Sequence, residues 1–440
     1  MSYFFYGFWD WRFCSLLLIS TLVDYYIGHF LFKSTNQSKR KKLLFVSLFS
    51  NLTILGFFKY FNFFIDSFQE LSTSLGYHFY SYSIHIILPV GISFYTFQSL
   101  SYTIDIYRNK IKPTNSFINF ALFVAFFPQL VAGPIERARS LLPQLSKKLN
   151  PTKLQIKQGV VLIVTGLFRK VIIGDTAGKY VDHIFGNIEL YKSIELISAI
   201  LLFSVQIYAD FSGYSHIARG TAKLLGVELM KNFEQPYFSR NISEFWKRWH
   251  VSLSSWLKDY LYIPLGGNRK GLTRTTINIM LTMLLGGLWH GASWNFVIWG
   301  GLHGFYLVVH KLFLGKKKVL QNKIATINSR DIINIFATNC LVLVTWLFFR
   351  STSFNDTKLF FAKIINWESS EFTSRFLGIV ISYLIVIFIL DFFEYRSGSH
   401  TYLLRLKSKP LLMGILSALF LVTLVYLFQS DNQPFIYFQF

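Results

Sequence analysis

His290 stands in Gly286-Gly287-Leu288-Trp289-His290-Gly291, within the apolar stretch Ile277 to Trp299. A polar side chain at membrane depth costs free energy and marks a functional site by default. The flanking glycines free the backbone to break a helix or to approach a ligand closely, and broken helices at that depth persist where they line a cavity. A neutral imidazole in such a place suits general acid–base chemistry, taking a proton from one group and passing it to another. The competing reading is packing, since Gly287 to Gly291 and Gly300 to Gly304 have the small-xxx-small spacing of closely crossed helices. The residues by themselves leave both open.

A second imidazole, His250, precedes it by forty residues. Asn241 and Glu244 have capping-box spacing, and Pro264 with Gly266-Gly267 supplies a stop, which predicts one helix of about twenty residues between them. On that helix Ile242, Phe245, Trp246, Trp249, Leu253, Trp256, Leu257, Tyr260 and Leu261 share one face. Glu244, Lys247, Arg248, Ser255, Lys258 and Asp259 share the other. Three tryptophans and a basic polar face suit a helix at the membrane interface or in the rim of a bundle; a solvated loop helix is the alternative. His250 lies at the edge of the apolar stripe and points toward the protein, where a structural histidine with a satisfied ring would also sit.

Other chemistry-bearing residues carry weaker signals. Asp210, His216 and Arg219 come after a long apolar run and either brace a buried polar network or orient a substrate. The loop Ile263 to Gly271 offers backbone amides with Asn268, Arg269 and Lys270, a setting for a phosphate or carboxylate. His303 and His310 add imidazoles without a His-x-x-x-His pair or a Glu-paired ligand set, so no metal is expected. There is no Gly-x-Ser-x-Gly elbow, and Cys14 and Cys340 lie in apolar runs that would not activate a thiol, so covalent catalysis is unsupported.

The elements that must position these residues belong in lipid. Of 440 residues 52% are hydrophobic, 19% aromatic and only 15% charged, with a mean hydropathy of +0.40. Apolar segments near 13–32, 43–65, 84–104, 117–133, 159–174, 194–209, 277–299, 302–314, 332–349, 376–393 and 411–428 predict an all-α, polytopic membrane protein of roughly 10–11 membrane helices. The interval from about Asp210 to Thr276 is semi-polar and interrupts them. No repeat or linker divides the chain, which reads as one membrane domain, 1–440. No small-residue cleavage site follows the first apolar run, so the N-terminus does not read as a cleaved signal peptide.

The formal net charge is +22. The cations cluster in short loops (Lys33 with Lys39 to Lys42, Lys316 to Lys318 with Lys323, Arg405 with Lys407 and Lys409), as positive-inside retention on the cytoplasmic side requires. No basic stripe interleaves with an exposed aromatic platform, and no nucleic-acid partner is expected.

Phe245-Trp-Lys-Arg-Trp-His250-Val-Ser-Leu-Ser254, with Leu288-Trp-His-Gly291 forty residues on, resembles the signature of membrane-bound O-acyltransferases. Tyr262-Ile-Pro-Leu-Gly-Gly-Asn-Arg269 is similar to the alginate O-acetyltransferase branch of bacterial polysaccharide acetylases. So are Leu88 to Gln98, Phe126 to Ile135, Asp210 to Ser215 and the terminal Phe435 to Phe440. The resemblance spans the whole chain. It implies tilted helices, with interfacial and re-entrant helices, around a thinned central funnel where cavities from the two sides meet. His290 matches the family's invariant histidine. His250 matches a position held by histidine in bacterial members and by Asn or Asp in eukaryotic ones. Trp246, Trp249, Trp289, Gly287, Gly291, Asn268, Arg269 and Asp210 become expected site-lining or substrate-binding residues.

The resemblance further implies a bacterial cytoplasmic (inner) membrane location and no bound cofactor. An acyl thioester, acetyl-CoA or an acyl carrier, would be co-substrate on the cytoplasmic side. The acceptor would be a polysaccharide, reached directly or through an extracytoplasmic acetyltransferase partner. Two departures stand out: in relatives an additional hydrophobic segment precedes the stretch matching Tyr6 to Phe13, and residue 216 is His where Asp is expected. Two rivals remain, a teichoic-acid D-alanyl transferase of the same family, disfavoured by the Pro264 to Arg269 loop, and a transporter of lipid-linked sugar, for which no internal repeat speaks.

Overall fold

The computed structural model describes residues 1–77, 84, 86–131, 133–314, 328–429 and 435. The Lys316 to Lys318 cluster, Lys323 and all of the terminal motif but Phe435 lie outside these. Among the described residues the chain is helical, with no strand. Seven helical segments among the described residues are long and apolar enough to cross a membrane, so the chain is a multi-pass membrane protein. It divides into two compact units.

The first unit comprises Met1–Pro151 with Leu225–Met230 and Gly291–Ser293. Its helices include α1 (Cys14–Lys33), α2 (Gln37–Ser74) and α3 (Ile92–Tyr107). Asp24 on α1, fully buried, accepts from Ser47 Oγ (2.6 Å) and Asn51 Nδ2 (3.0 Å) of α2 and from the Ser99 hydroxyl of α3. One carboxylate thereby ties three helices where lipid offers no alternative partner. Arg40 donates to the carbonyls of Leu31 (2.5 Å) and Tyr107 (2.7 Å), near the ends of α1 and α3.

The second unit, Thr152–Leu224 with Lys231–His290 and Trp294–Phe440, contains His216, His250, His290, His303 and His310. Its helices include α4 (Lys153–Leu167), α5 (Ser193–Leu224), α6 (Ile242–Arg248), α7 (Val251–Leu257), α8 (Gly271–His290), α9 (Trp294–Leu314), α10 (Ser329–Arg350), α11 (Thr373–Ser397) and α12 (Lys409–Gln429). The most buried of its long apolar spans is α5. By hydropathy that apolar segment ends at 209, but the helix continues to Leu224 because its polar residues find partners inside the unit. Lys223 donates to Gln158 (3.0 Å), and His216 and Arg219 both bond His400 (3.0 and 2.8 Å).

Two further expectations change. The apolar stretch 277–299 is two helices, α8 ending at His290 and α9 starting at Trp294. The single helix expected between Asn241 and Pro264 is broken at Trp249-His250. Trp249 is extended and His250 left-handed (φ 43°, ψ 55°), because the backbone there bonds another segment: Glu234 N–H donates to Arg248 O and Val251 N–H to Asn232 O, both at 2.9 Å. Asn241 accepts from Glu244 N–H (2.8 Å) as a cap should. The Glu244 carboxylate, however, reaches the Arg240 amide (3.1 Å) and the guanidinium of Arg248 (2.8 Å) instead of closing the box on Asn241.

Candidate active site

The break at Trp249-His250 aims the His250 ring at the end of α8. The His250 and His290 ring centroids are 6.4 Å apart, and the Trp289 ring lies edge-on to both (6.0 and 5.1 Å). Trp299 of α9 and Phe349 of α10 present ring edges or faces to His290 at 5.0 and 5.4 Å. Phe211 of α5 meets His250 at 4.7 Å. His250 is 0% and His290 4% exposed. The two imidazoles therefore share an aromatic box that excludes bulk water, where electrostatic interactions are stronger than in solution.

Hydrogen bonding assigns His250 its tautomer. Asn232 Oδ1, a pure acceptor, stands 3.1 Å from Nδ1, so Nδ1 carries the proton and Nε2 is the lone-pair nitrogen. The same oxygen accepts from Ser252 Oγ (2.9 Å) and Ser252 N–H (3.3 Å), while Asn232 Nδ2 donates to Ser215 Oγ of α5 (3.3 Å). Burial pushes the His250 pKa down to about 3 and keeps the ring neutral. Asn232 is not among the residues that sequence patterns single out. No local signal marks it, because only the fold brings it beside a residue eighteen positions later.

His303 is a third buried imidazole. Trp246 Nε1–H donates to its Nδ1 (3.3 Å), so Nε2 carries the proton and meets Thr345 Oγ1 (3.0 Å), which in turn donates to Val342 O (2.7 Å). His303 packs 4.8 Å from Trp299 and stacks on Phe245 (6.0 Å, planes 3° apart). It thus backs the wall behind His290, a role that a search for metal-ligand spacing does not reveal.

The other expected site residues divide. Trp289 touches both imidazoles. Trp246 belongs to the wall through His303, and Trp249, 1% exposed, is deep in a ring cluster with Phe233 and Trp346, both at 5.0 Å. Gly287 lies at a helix crossing: a Cβ there would stand 2.2 Å from Phe296 O and 3.1 Å from Gly300 Cα. Gly291 comes directly after the end of α8. Asp210 faces Lys170 (3.7 Å), which also pairs with Asp175 (2.5 Å); its neighbour Phe211 is the residue that meets His250. Asn268 and Arg269 are exposed, although Asn278 Nδ2 holds their loop to α8 through Gly267 O (2.9 Å).

His216 enters a buried network instead. Arg169 Nη2 lies 3.0 Å from both Asp391 and Glu394, Gln235 donates to Glu394 (3.0 Å), and Arg219 Nη1 donates to His400 Nδ1. His216, Glu394 and His400 hold ligand-type atoms within 4.8 Å of one another. The Arg169 guanidinium already faces both carboxylates, however, and Arg219 occupies the His400 lone pair, so the donor set suits a buried brace better than a cation site.

Similarity to known proteins extends along the chain. Residues 3–353 match the family described as MBOAT, membrane-bound O-acyltransferase. The chain is 36% identical to the "Probable alginate O-acetylase AlgI" of Pseudomonas putida over 461 residues, covering 100% of this chain and 93% of that protein. It is 32% identical to the peptidoglycan O-acetyltransferase of Helicobacter pylori over 491 residues, covering 100% and 90%. Similarity to the teichoic acid D-alanyltransferase of Streptococcus thermophilus is 28% over 249 residues, covering 53% and 59%. With a helical membrane scaffold that matches along its length, the chain belongs to the membrane-bound O-acyltransferase family, as an acyltransferase that takes an acyl donor as co-substrate.

Proposed function

We propose that this chain, acting as one membrane domain in a bacterial cytoplasmic membrane, transfers acetyl groups from a cytoplasmic thioester toward hydroxyls of an exported or cell-surface polysaccharide. The observation that carries the reading is the His250–His290 pair, 6.4 Å apart in a closed aromatic box, in a chain similar throughout to proteins named for acetylating alginate and peptidoglycan. Acetyl-CoA or an acetylated carrier is the donor. The acceptor is the polymer itself or an extracytoplasmic acetyltransferase that relays the group.

Neutral His290 takes the acceptor hydroxyl proton as the oxygen attacks the thioester carbonyl. The C–S bond then breaks and the proton passes to the departing thiolate. General acid–base catalysis of this kind contributes roughly 10² to 10⁴ in rate. His250, held by Asn232 with Nδ1 protonated, accepts through Nε2 from an O–H or N–H of the bound substrates and orients them across the gap. Trp289, Trp299 and Phe349 keep water from hydrolysing the thioester.

The test is the acyl content of cell-surface polymers, by mass analysis, in cells carrying the parent protein or His290→Ala. Loss of O-acetyl esters with polymer export unchanged supports acetyl transfer and excludes a transporter. D-alanyl esters in place of acetyl would move the chain to the D-alanyl branch. Unchanged acyl content with His290→Ala inserted at normal levels would remove His290 from the chemistry.

A further inference from the structure

Three membrane-length helices of the second unit, α5, α10 and α11, enclose a cavity of about 800 Å³ together with the turn at Tyr237-Phe238. Its long walls are aliphatic and aromatic: Ile335 and Leu343 on α10, Leu384 and Phe388 on α11, Leu201 on α5. The few polar groups in the wall are bonded to the protein. Ser204 Oγ donates to Leu201 O (2.7 Å), Tyr237 OH to Ser204 O (2.6 Å), and Asn339 Nδ2 to Tyr237 O and Ile335 O (both 2.9 Å), while Asp391 is paired with Arg169 (3.0 Å). A ligand would find hydrocarbon surface, with the polar wall groups already engaged.

Such a space does not fill with water, which needs several polar partners. Leaving it empty costs free energy in proportion to its volume. The lining includes Ile332, Ile385 and Phe388, which are 60%, 52% and 55% exposed, alongside Ile387 and Asp391, which are buried. The cavity thus runs from the outer surface of membrane-crossing helices, where the solvent is lipid, into the protein. By volume it takes roughly 27 water-sized groups at about 30 Å³ each, enough for one hydrocarbon chain of bilayer length.

We propose that this cavity is a lipid site, occupied by a hydrocarbon chain of a bilayer phospholipid that inserts between α10 and α11. Tyr237 in its wall packs 6.2 Å from Trp249, the residue before His250. The inserted chain therefore backs the aromatic cluster on which the His250 segment rests. The site is separate from the acyl donor, and its occupant is not consumed.

The experiment is native mass spectrometry of the full-length protein, taken up in mild detergent and incubated with phosphatidylethanolamine–phosphatidylglycerol vesicles. One phospholipid is expected to remain bound at collision energies that strip the rest. Ile335→Trp or Leu343→Phe, which fill the cavity, should lower the retained fraction at least tenfold, and Met413→Trp on the exposed face of α12 should not. Thermal melting of each variant separates loss of the site from loss of the fold, and Leu343→Phe is the milder change should Ile335→Trp unfold. Equal retention in a folded cavity variant and in Met413→Trp overturns the proposal, as does the absence of a retained phospholipid from the parent. A cavity emptied of phospholipid by added palmitoyl-CoA would assign it to the donor's chain and overturn it too.

Discussion

Replacing Gly287 by Ala should disable the enzyme, whereas the same change one residue earlier should not. A Cβ at Gly287 lies 2.2 Å from the Phe296 carbonyl oxygen and 3.1 Å from both the Cα and N of Gly300, against the 3.4 Å at which ordinary contact begins. All three atoms are backbone, so no rotamer relieves the clash, and α8 and α9 must part by about 1 Å. Overpacking of this kind costs roughly 1–3 kcal/mol. The displacement also separates His290 on α8 from Trp299 on α9, now 5.0 Å apart, and a misplacement of about 1 Å at a reacting group costs on the order of 10²-fold in rate. At Gly286 the added methyl meets only Leu257 Cδ1, at 3.1 Å. That side chain can turn away, and the helix propensity of Ala returns up to ~1 kcal/mol. Gly287→Ala should therefore melt lower and lose most acyl transfer, with Gly300→Ala matching it, since its Cβ would lie 2.3 Å from Met283 O. Gly286→Ala should stay within a few-fold of the parent. Turnover in reconstituted vesicles and melting in detergent measure both effects. Equal behaviour of Gly286→Ala and Gly287→Ala would refute the crossing as the reason for the glycine.

Other outcomes rest on single contacts. Asn232→Ala removes the acceptor that fixes the His250 tautomer and should cost about 1–3 kcal/mol, a loss of roughly 5- to 150-fold in turnover if it falls on the transition state, with normal membrane insertion; unchanged turnover would show that the ring needs no orienting partner. Arg169→Leu leaves Asp391 and Glu394 without their shared cation and should destabilise by about 3–5 kcal/mol, read as a lower melting temperature, and a melt identical to the parent's would mean that the network carries little energy. Because burial lowers the His250 pKa to about 3, its unfolded form binds a proton that the folded form refuses between about pH 6.5 and 3. Stability should fall as pH drops through that window, by at most ~1.4 kcal/mol per pH unit from this group. His250→Asn should flatten the dependence by that share, and parallel curves for parent and variant would contradict a neutral buried ring.

Much of this architecture is legible in hydropathy. Long apolar runs become helices because lipid offers the backbone no other partners, and the glycines around His290 correctly point to a chain break beside it. What stays hidden depends on segments that are distant in sequence. The break at Trp249-His250 has no helix-breaking residue of its own; it exists because residues 232–234 take up backbone hydrogen bonds that a continuous helix would have used. The face pattern of Ile242 to Leu261 nevertheless survives, since the same rings are buried on both sides of the break. The extent of α5 stays hidden for a related reason: His216 and Arg219 fall in the semi-polar interval that interrupts the apolar segments, and only His400 placed against them shows why the helix runs on. Asn268 and Arg269 show the opposite case, expected site residues that the fold leaves exposed.

The left-handed backbone at position 250 acts as a filter on what evolution can put there. Left-handed backbone excludes β-branched and bulky aliphatic side chains at a cost of order 1–3 kcal/mol, but Asn, Asp and His occupy it several-fold more often than other residues do. These are the residue types that the resemblance assigns to this position across bacterial and eukaryotic members. The chain path can therefore stay fixed while the group it presents changes between an imidazole, an amide and a carboxylate. Chemical diversity at this point of the site comes almost free of conformational cost, because the backbone admits little else.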